Sequence, residues 1–549
     1  MPCLVLLPAL LLGACGTPPS TDTATAPHAR RVLLPDAQGR CAALAQTLAQ
    51  MASAQTDALP LPRINTRWQP AGAQLASDAD GRAATTVDLP AHCVVQGRLD
   101  ERTGAHAERY HTSFELRLPA TANGRLLQQG TEGLGGSVPP ALGRNTGATG
   151  WVDNGLQRGF AAVSHNAGHA TTGALFGLDP QARTEHAWRS HWRVATAARL
   201  LFRAYYGQPP RHSYFIGCGD GGRQGLMFAQ RFAELFDGIV AQAPTMRAGL
   251  GEVVASAWAF QRLHEARTAT GQAHALSARQ LRRVADEVLD RCDAADGLAD
   301  GLVSDTALCR IDPRRLLCPA SVPGDDDSGC LHAAQALALA RVMNGPEASD
   351  GRPLHMGWPW DPGIGSVAWL AALESPPPVI SAALPFVYVT PPDATLTLPT
   401  FDFERDPLRL LAAHRLLGSA DDVLLRPFLQ RGGKLMLVHG MADPVVSALQ
   451  TIDFQQRVNA AHGAVAAARF VRTFLVPGMN HCHGGPATDA FDGLGAIVDW
   501  VESHKAPDVM FARGSGTLPG TLQRPLCTHP KISRYREGDP AQADSFECR

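Results

Sequence analysis

Short unbroken apolar runs that end in glycine-rich polar loops recur along this chain and predict its architecture. His212 to Gly217, after the turn "GQPPR", predicts a buried strand, and "GGRQGLMFAQRFAELF" (221–236) carries apolar residues at helical spacing behind paired glycines. "KLMLVHGMADP" (434–444) and "RTFLVPGMNHC" (472–482) each predict a short buried strand running into a polar loop. Three strands thus deliver their carboxyl ends to loops rich in reactive residues, which is where open parallel sheets bind ligands. Between about 247 and 415 the pattern changes to amphipathic helix, then an acid- and cysteine-rich loop, then proline-rich stretches such as "ESPPPVI". Core-type strands resume afterwards, so the pattern predicts an α/β core in two parts, 31–246 and 416–549, interrupted by an inserted lid domain at 247–415.

Composition narrows the partners. A chain of 549 residues with 45% hydrophobic content buries a large core, and 49 basic against 51 acidic residues, with no long run of like charge, argue against nucleic acid. Leu4 to Leu12 is an apolar run of signal-peptide length ending at Cys15, so residues 1–15 predict an export signal with a lipobox and 16–30 a polar tether. Cys15 would carry the lipid and supply the protein's one link to a membrane; without a basic n-region, an ordinary secretory signal is the alternative. Of 12 cysteines, setting aside Cys3 and Cys15 leaves ten, the even number that disulfides in an exported protein require.

The chemistry concentrates in a few motifs. Gly217-Cys218-Gly219-Asp220-Gly221 matches the strand-to-helix bend G-x-S-x-G that presents a nucleophile, except that glycine occupies the serine position. Asp443 follows one predicted strand and His481 the next, giving the chain order nucleophile position, acid, histidine. Acyl transfer needs a hydroxyl, an imidazole to move its proton and a carboxylate to hold the imidazole. A lone Asp-Pro is usually a turn and a lone histidine usually structural, but here cysteines stand beside both the elbow and the histidine. In "CDAADGLADGLVSDTALC" (292–309), aspartates alternate with small residues and glycines, as suits an oxygen-liganded cation on a tight loop, although the spacing is not that of an EF-hand. Cys292 and Cys309 bracket that loop.

Through "YFIGCGDGGRQGLMFAQRFAELFDGIVAQAP", "HGMADP" and "GMNHCHGG", the sequence resembles the tannase and feruloyl esterase family. The resemblance implies an α/β-hydrolase fold with a large inserted lid and the hydrolysis of small-molecule esters of aromatic acids. It matches Cys218, Asp443, His481 and Cys482 to the family's cysteine, acid, histidine and second cysteine, and departs at Gly219, where the family has its serine. It implies an oxyanion hole from the Asp220 and Gly133 N–H groups, and calcium held by Asp293, Asp296 and Asp300 with the Leu298 and Leu302 carbonyls. It also implies the pairs Cys41–Cys93, Cys218–Cys482, Cys292–Cys309, Cys318–Cys330 and Cys527–Cys548. With Gly219 in place little turnover is expected, which leaves two readings: an exported ester hydrolase whose nucleophile is missing, or an inactive lipoprotein that binds aromatic esters or acids.

Overall fold

The computed structural model describes residues 31–53, 62–77, 84–147, 153–171, 173–271, 274–319, 329–417 and 420–549. The expected signal, Cys15 and the tether lie outside the described residues.

Nine strands form the main sheet: β1 (Arg63–Gln69), β2 (His92–Thr103), β3 (Arg109–Pro119), β4 (Arg125–Gln129), β5 (Ala161–His165), β6 (His212–Cys218), β7 (Gly238–Gln242), β8 (Lys434–Gly440) and β9 (Val471–Val476). Their spatial order is β9-β8-β7-β6-β4-β5-β3-β2-β1. From β9 to β5 every neighbouring pair is parallel, whereas β5–β3, β3–β2 and β2–β1 are antiparallel.

The two halves of the sheet read differently because they are covered differently. Phe215, Ile239, Leu435 and Leu437 face one layer, where Leu226, Phe228 and Phe454 pack on them. Tyr214, Ile216, Val240, Met436 and Val438 face the other, against Leu494, Ile497 and Trp500. Strands covered on both faces become continuous apolar runs, which is why "KLMLV" reads so clearly. β3 instead alternates buried and half-exposed positions, as a sheet with one wet face does. Its inward Phe114, Leu116 and Leu118 pack on Leu44, Val194 and Leu201 from two helices.

The helix after β6 runs from Asp220 to Arg231 and stops before the apolar pattern does, because the chain must turn back to start β7 at Gly238. Phe232 and Phe236, beyond its end, still pack in the same core.

Among the described residues of 247–415 there are helices and short turns but no named strand. Glu252–Thr270, Ala278–Cys292, Ala333–Asn344 and Val367–Glu374 share their own core of Leu263, Leu281, Val284, Leu339, Trp358 and Trp369. Trp358 and Trp369 pack in this core, Phe401 packs in an adjoining one, and Arg405 pairs with Asp406 at 2.9 Å. This segment is fastened to the loops beyond β8 and β9. Trp369 Nε1 donates to the Ala442 carbonyl at 2.8 Å, and the Asp361 carboxylate accepts the Gly478 N–H at 3.0 Å.

Among the described residues, five disulfides join Cys41 to Cys93, Cys218 to Cys482, Cys292 to Cys309, Cys318 to Cys330 and Cys527 to Cys548. No helix among the described residues is long and apolar enough to cross a membrane.

Candidate active site

β6 ends at Cys218 and the next helix begins at Asp220, so Gly219 makes the turn alone. Its φ of 59° and ψ of −116° lie where residues with a β-carbon are strained. Its N–H donates to the Gln242 carbonyl at 3.0 Å, and its own carbonyl accepts the N–H groups of Arg223 at 3.1 Å and Thr245 at 3.2 Å. The bend closes this tightly because a β-carbon on Gly217 would lie 2.5 Å from the Gly221 backbone.

His481, in the loop after β9, is drawn over this bend by the Cys218–Cys482 disulfide, whose Cα atoms are 6.1 Å apart. Its Nδ1 donates to Asp443 Oδ2 at 2.7 Å. Asp443 is buried, and its Oδ1 accepts the N–H groups of Val445 and Val446 at 2.8 and 3.0 Å. His439 Nε2 lies 3.3 Å from Oδ2. Burial by itself would push the Asp443 carboxyl up, but the charge of His481 and the hydrogen bonds from His439 and His481 outweigh it and hold the group well below the ordinary carboxylate range. For His481 burial acts downward, and the Asp443 carboxylate overrides it and raises the imidazole above 6.5. With Nδ1–H committed to Asp443, Nε2 is left facing the bend, 2.9 Å from the point a β-carbon on Gly219 would occupy.

The loop after β4 lies directly against the bend. A β-carbon on Gly130 would come within 2.8 Å of Gly221 Cα and 3.1 Å of Gly217 Cα, so only glycine permits this approach. Gly133, farther along, has a φ of +54°, and a β-carbon placed on it would lie 3.6 Å from the Val379 side chain of the helical segment. Gln224 ties loop to helix: its Oε1 accepts the Thr131 N–H at 3.1 Å, and its Nε2 donates to the Asp220 carboxylate at 2.8 Å. Arg223 Nε donates to the other Asp220 oxygen at 2.5 Å. Burial would raise the Asp220 carboxyl, but the Arg223 guanidinium holds it down to about 2. The Asp220 side chain is therefore turned into the protein, and its backbone N–H is one of the first-turn donors that an α-helix leaves without a partner.

Sequence reasoning did not single out Gln224, Gly130, Asp361 or Glu252. Gln224 carried a signal, a lone amide one helical turn after Asp220. Glu252 is buried and accepts from Gln450 Nε2 at 3.1 Å; burial raises its carboxyl, and the nearby Asp443 adds to the effect.

The acidic loop forms a separate constellation. Asp293 accepts the N–H groups of Asp300 and Gly301 at 3.1 and 2.9 Å, Asp296 that of Leu298 at 3.3 Å, and Asp300 that of Leu302 at 3.0 Å. The Arg524 guanidinium pairs with Asp300. Burial pushes the Asp293 and Asp296 carboxyls up, and Asp300 adds like-charge repulsion to both. Asp293 and Asp296 are buried at a charge penalty and Asp300 is held by Arg524; carboxylate oxygens are the donor type that a hard divalent cation takes, but among the described residues these three do not meet as one ligand cluster.

A mixed sheet with a glycine elbow, an acid and a histidine at consecutive strand ends is the architecture of an α/β-hydrolase. Residues 93–549 match the family described as tannase and feruloyl esterase, and the chain belongs to that family. It is 36% identical over 533 residues to a mono(2-hydroxyethyl) terephthalate hydrolase of Piscinibacter sakaiensis, covering 86% of this chain and 87% of that protein. It is 30% identical over 458 residues to a probable feruloyl esterase B-1 of Aspergillus terreus, covering 79% and 83% respectively. The crystal structure of feruloyl esterase B from Aspergillus oryzae superposes with a TM-score of 0.76 at 25% identity, covering 94% of this chain and 100% of that one.

Proposed function

We propose that this protein is an exported hydrolase of small-molecule esters of aromatic acids, built for an acyl-enzyme mechanism whose nucleophile position is held by Gly219. The observation that carries this reading is the Asp443–His481 pair, hydrogen-bonded at 2.7 Å and aimed through Nε2 at the strand-to-helix bend. In this mechanism a hydroxyl at 219 would give its proton to His481 while Asp443 stabilises the imidazolium. The N–H groups of Asp220 and Gly133 would receive the developing oxyanion. The substrate class rests on relatives named for feruloyl and terephthalate esters. Export is supported by five disulfides, a pattern of oxidising compartments; anchoring through Cys15 is the finer form of the same proposal.

Calcium completes the proposal as a structural ion. Asp293, Asp296 and Asp300, with the Leu298 and Leu302 carbonyls, would hold it, and its charge would relieve the repulsion among the buried carboxylates.

Restoring the hydroxyl tests the reading. Gly219→Ser should raise hydrolysis of an aryl ester on the order of a thousandfold or more, because triad members act as a unit. The residue would have to displace the His481 ring slightly, since its β-carbon falls 2.9 Å from Nε2, at the movable end of a side chain. A folded Gly219→Ser protein with its disulfides intact that is inert toward gallate, ferulate and terephthalate esters would defeat it. The second reading, a binding protein for aromatic esters or acids, is favoured by the glycine itself and would then lead; thermal shifts with the same esters would support it.

A further inference from the structure

We propose that, with glycine at 219, the His481–Asp443 pair acts directly on water, so that the protein as it stands hydrolyses activated aryl esters with no covalent intermediate. The proposal rests on the ester-hydrolase reading of the site.

The geometry around Gly219 carries it. The point a β-carbon would occupy lies 2.9 Å from His481 Nε2 and 3.4 Å from Cε1; among the described residues no other atom comes within 4 Å, apart from the chain neighbours. For carbon, 2.9 Å is a clash. For a water oxygen it is an ordinary hydrogen-bond length, and it falls within the reach required of a general base. The imidazole therefore stands where it would crowd any side chain at 219 yet can hold a water there. His481 is reachable, with 30% of its side chain exposed, while Asp443 behind it is sealed. Nothing else at the bend competes as a nucleophile, because the Cys218 sulfur is in a disulfide and the Asp220 carboxylate is bound to Arg223 and Gln224.

The step balances with water as the only co-reactant. The water oxygen bonds to the ester carbonyl carbon as its proton passes to His481 Nε2, and the carbonyl π pair moves onto oxygen, toward the Asp220 and Gly133 N–H groups. The carbonyl then re-forms, the bond to the alcohol oxygen breaks, and that oxygen takes the proton back from Nε2. Ester and water become acid and alcohol, and the pair is returned unchanged.

The test compares the unaltered protein with Gly219→Ala, Gly219→Ser and His481→Ala on a nitrophenyl ester of an aromatic acid, with disulfides and melting checked for each. The unaltered protein is expected to exceed buffer by on the order of a hundredfold, with His481→Ala removing that gain. Gly219→Ala should also lose most of it, because its methyl occupies the water position and pushes the imidazole away. A solvent deuterium isotope effect should accompany turnover. No acyl adduct should be seen by intact mass spectrometry, and an organophosphonate should inactivate only the Gly219→Ser form. Equal rates for glycine and alanine at 219, a rate indifferent to His481, or an acyl group trapped on His481 would each overturn the proposal. Should Gly219→Ala not fold, the isotope effect and His481→Ala still decide it. Failure of Gly219→Ser would defeat the ester-hydrolase reading instead, whereas an active serine form beside equal glycine and alanine forms defeats only the water mechanism.

Discussion

The bend at Gly219 and the acidic loop from Asp293 to Leu302 are each closed by a disulfide, but one bridge spans 264 residues of sequence and the other 17. The acidic loop is built mostly locally: its carboxylates accept backbone N–H groups from residues no more than eight positions away, and the Arg524 guanidinium reaches Asp300 from 224 positions along the chain. The elbow site gathers four distant segments, the bend itself, the loop after β4, and the loops after β8 and β9. Damage to the local loop should cost stability and spare geometry elsewhere. Damage to the gathered site should cost chemistry, because positions good to a fraction of an ångström are what it supplies.

The contrast is broken most directly with paired carboxylate variants in the Gly219→Ser background. Asp443→Asn should lower turnover on the order of ten-thousandfold, through loss of the negative charge that fixes the imidazole's tautomer and stabilises the imidazolium. Asp296→Asn should leave turnover unchanged and lower the melting temperature. Equal losses of turnover from the two would show that the regions are not separable.

Gln224→Leu sharpens the comparison within the gathered site. It removes the tie between Thr131 and Asp220, and so between the two segments that would supply the proposed oxyanion donors. Turnover in the Gly219→Ser protein should fall about tenfold to a hundredfold, less than complete loss of a donor, with KM little changed. A rise in KM with kcat unchanged would assign Gln224 to substrate binding instead.

Chelation addresses the local loop. An ion bound only by the folded state contributes about 2.7 kcal/mol at a hundred times its Kd, so metal-free protein should melt several degrees lower and recover with added calcium. An unchanged melting curve would remove calcium from the proposal.

The smallest effect is in pH. Because His481 is raised above 6.5 by Asp443, the base is protonated until the pH exceeds that raised value, and turnover of the Gly219→Ser form should climb along a limb centred above 6.5. Stability runs the other way. The raised His481 contributes fully below 6.5 and its share fades as pH rises through the folded value. The depressed Asp443 contributes above 3.8, and its share is lost as pH falls through its own folded value. Titration of the His481 ring by NMR, before and after Asp443→Asn, checks the sign: removing the carboxylate should move the midpoint down.

The parts of the molecule legible in the sequence are those whose environment is symmetrical or local. β6, β8 and β9 announce themselves because both faces are covered along their middles, so the runs "YFI", "LMLV" and "FLV" are unbroken and apolar. β3, wet on one face, and β4, whose "RLLQQ" is buried yet polar at three of its five positions, do not. The same holds for the site. Asp443 and His481 sit at the ends of readable strands, whereas Gln224 and Asp361 act through partners 93 and 117 positions away.

By itself the sequence determined the features set by bonding and sterics within a few residues: a bend only glycine enters easily, helix and strand periods, aspartates gathered on one glycine-rich loop, and an even set of cysteines. Tertiary structure alone decided which distant groups meet. It set His481 Nε2 at 2.9 Å from the missing β-carbon, stacked Gly130 on Gly217 and Gly221, and let Trp369 and Asp361 of the helical segment grip the loops beside Asp443 and His481. The physical reason is that a turn or a period is settled by sterics between neighbours in the chain. A contact across hundreds of residues is settled by the packing of whole layers, which no short stretch of sequence contains.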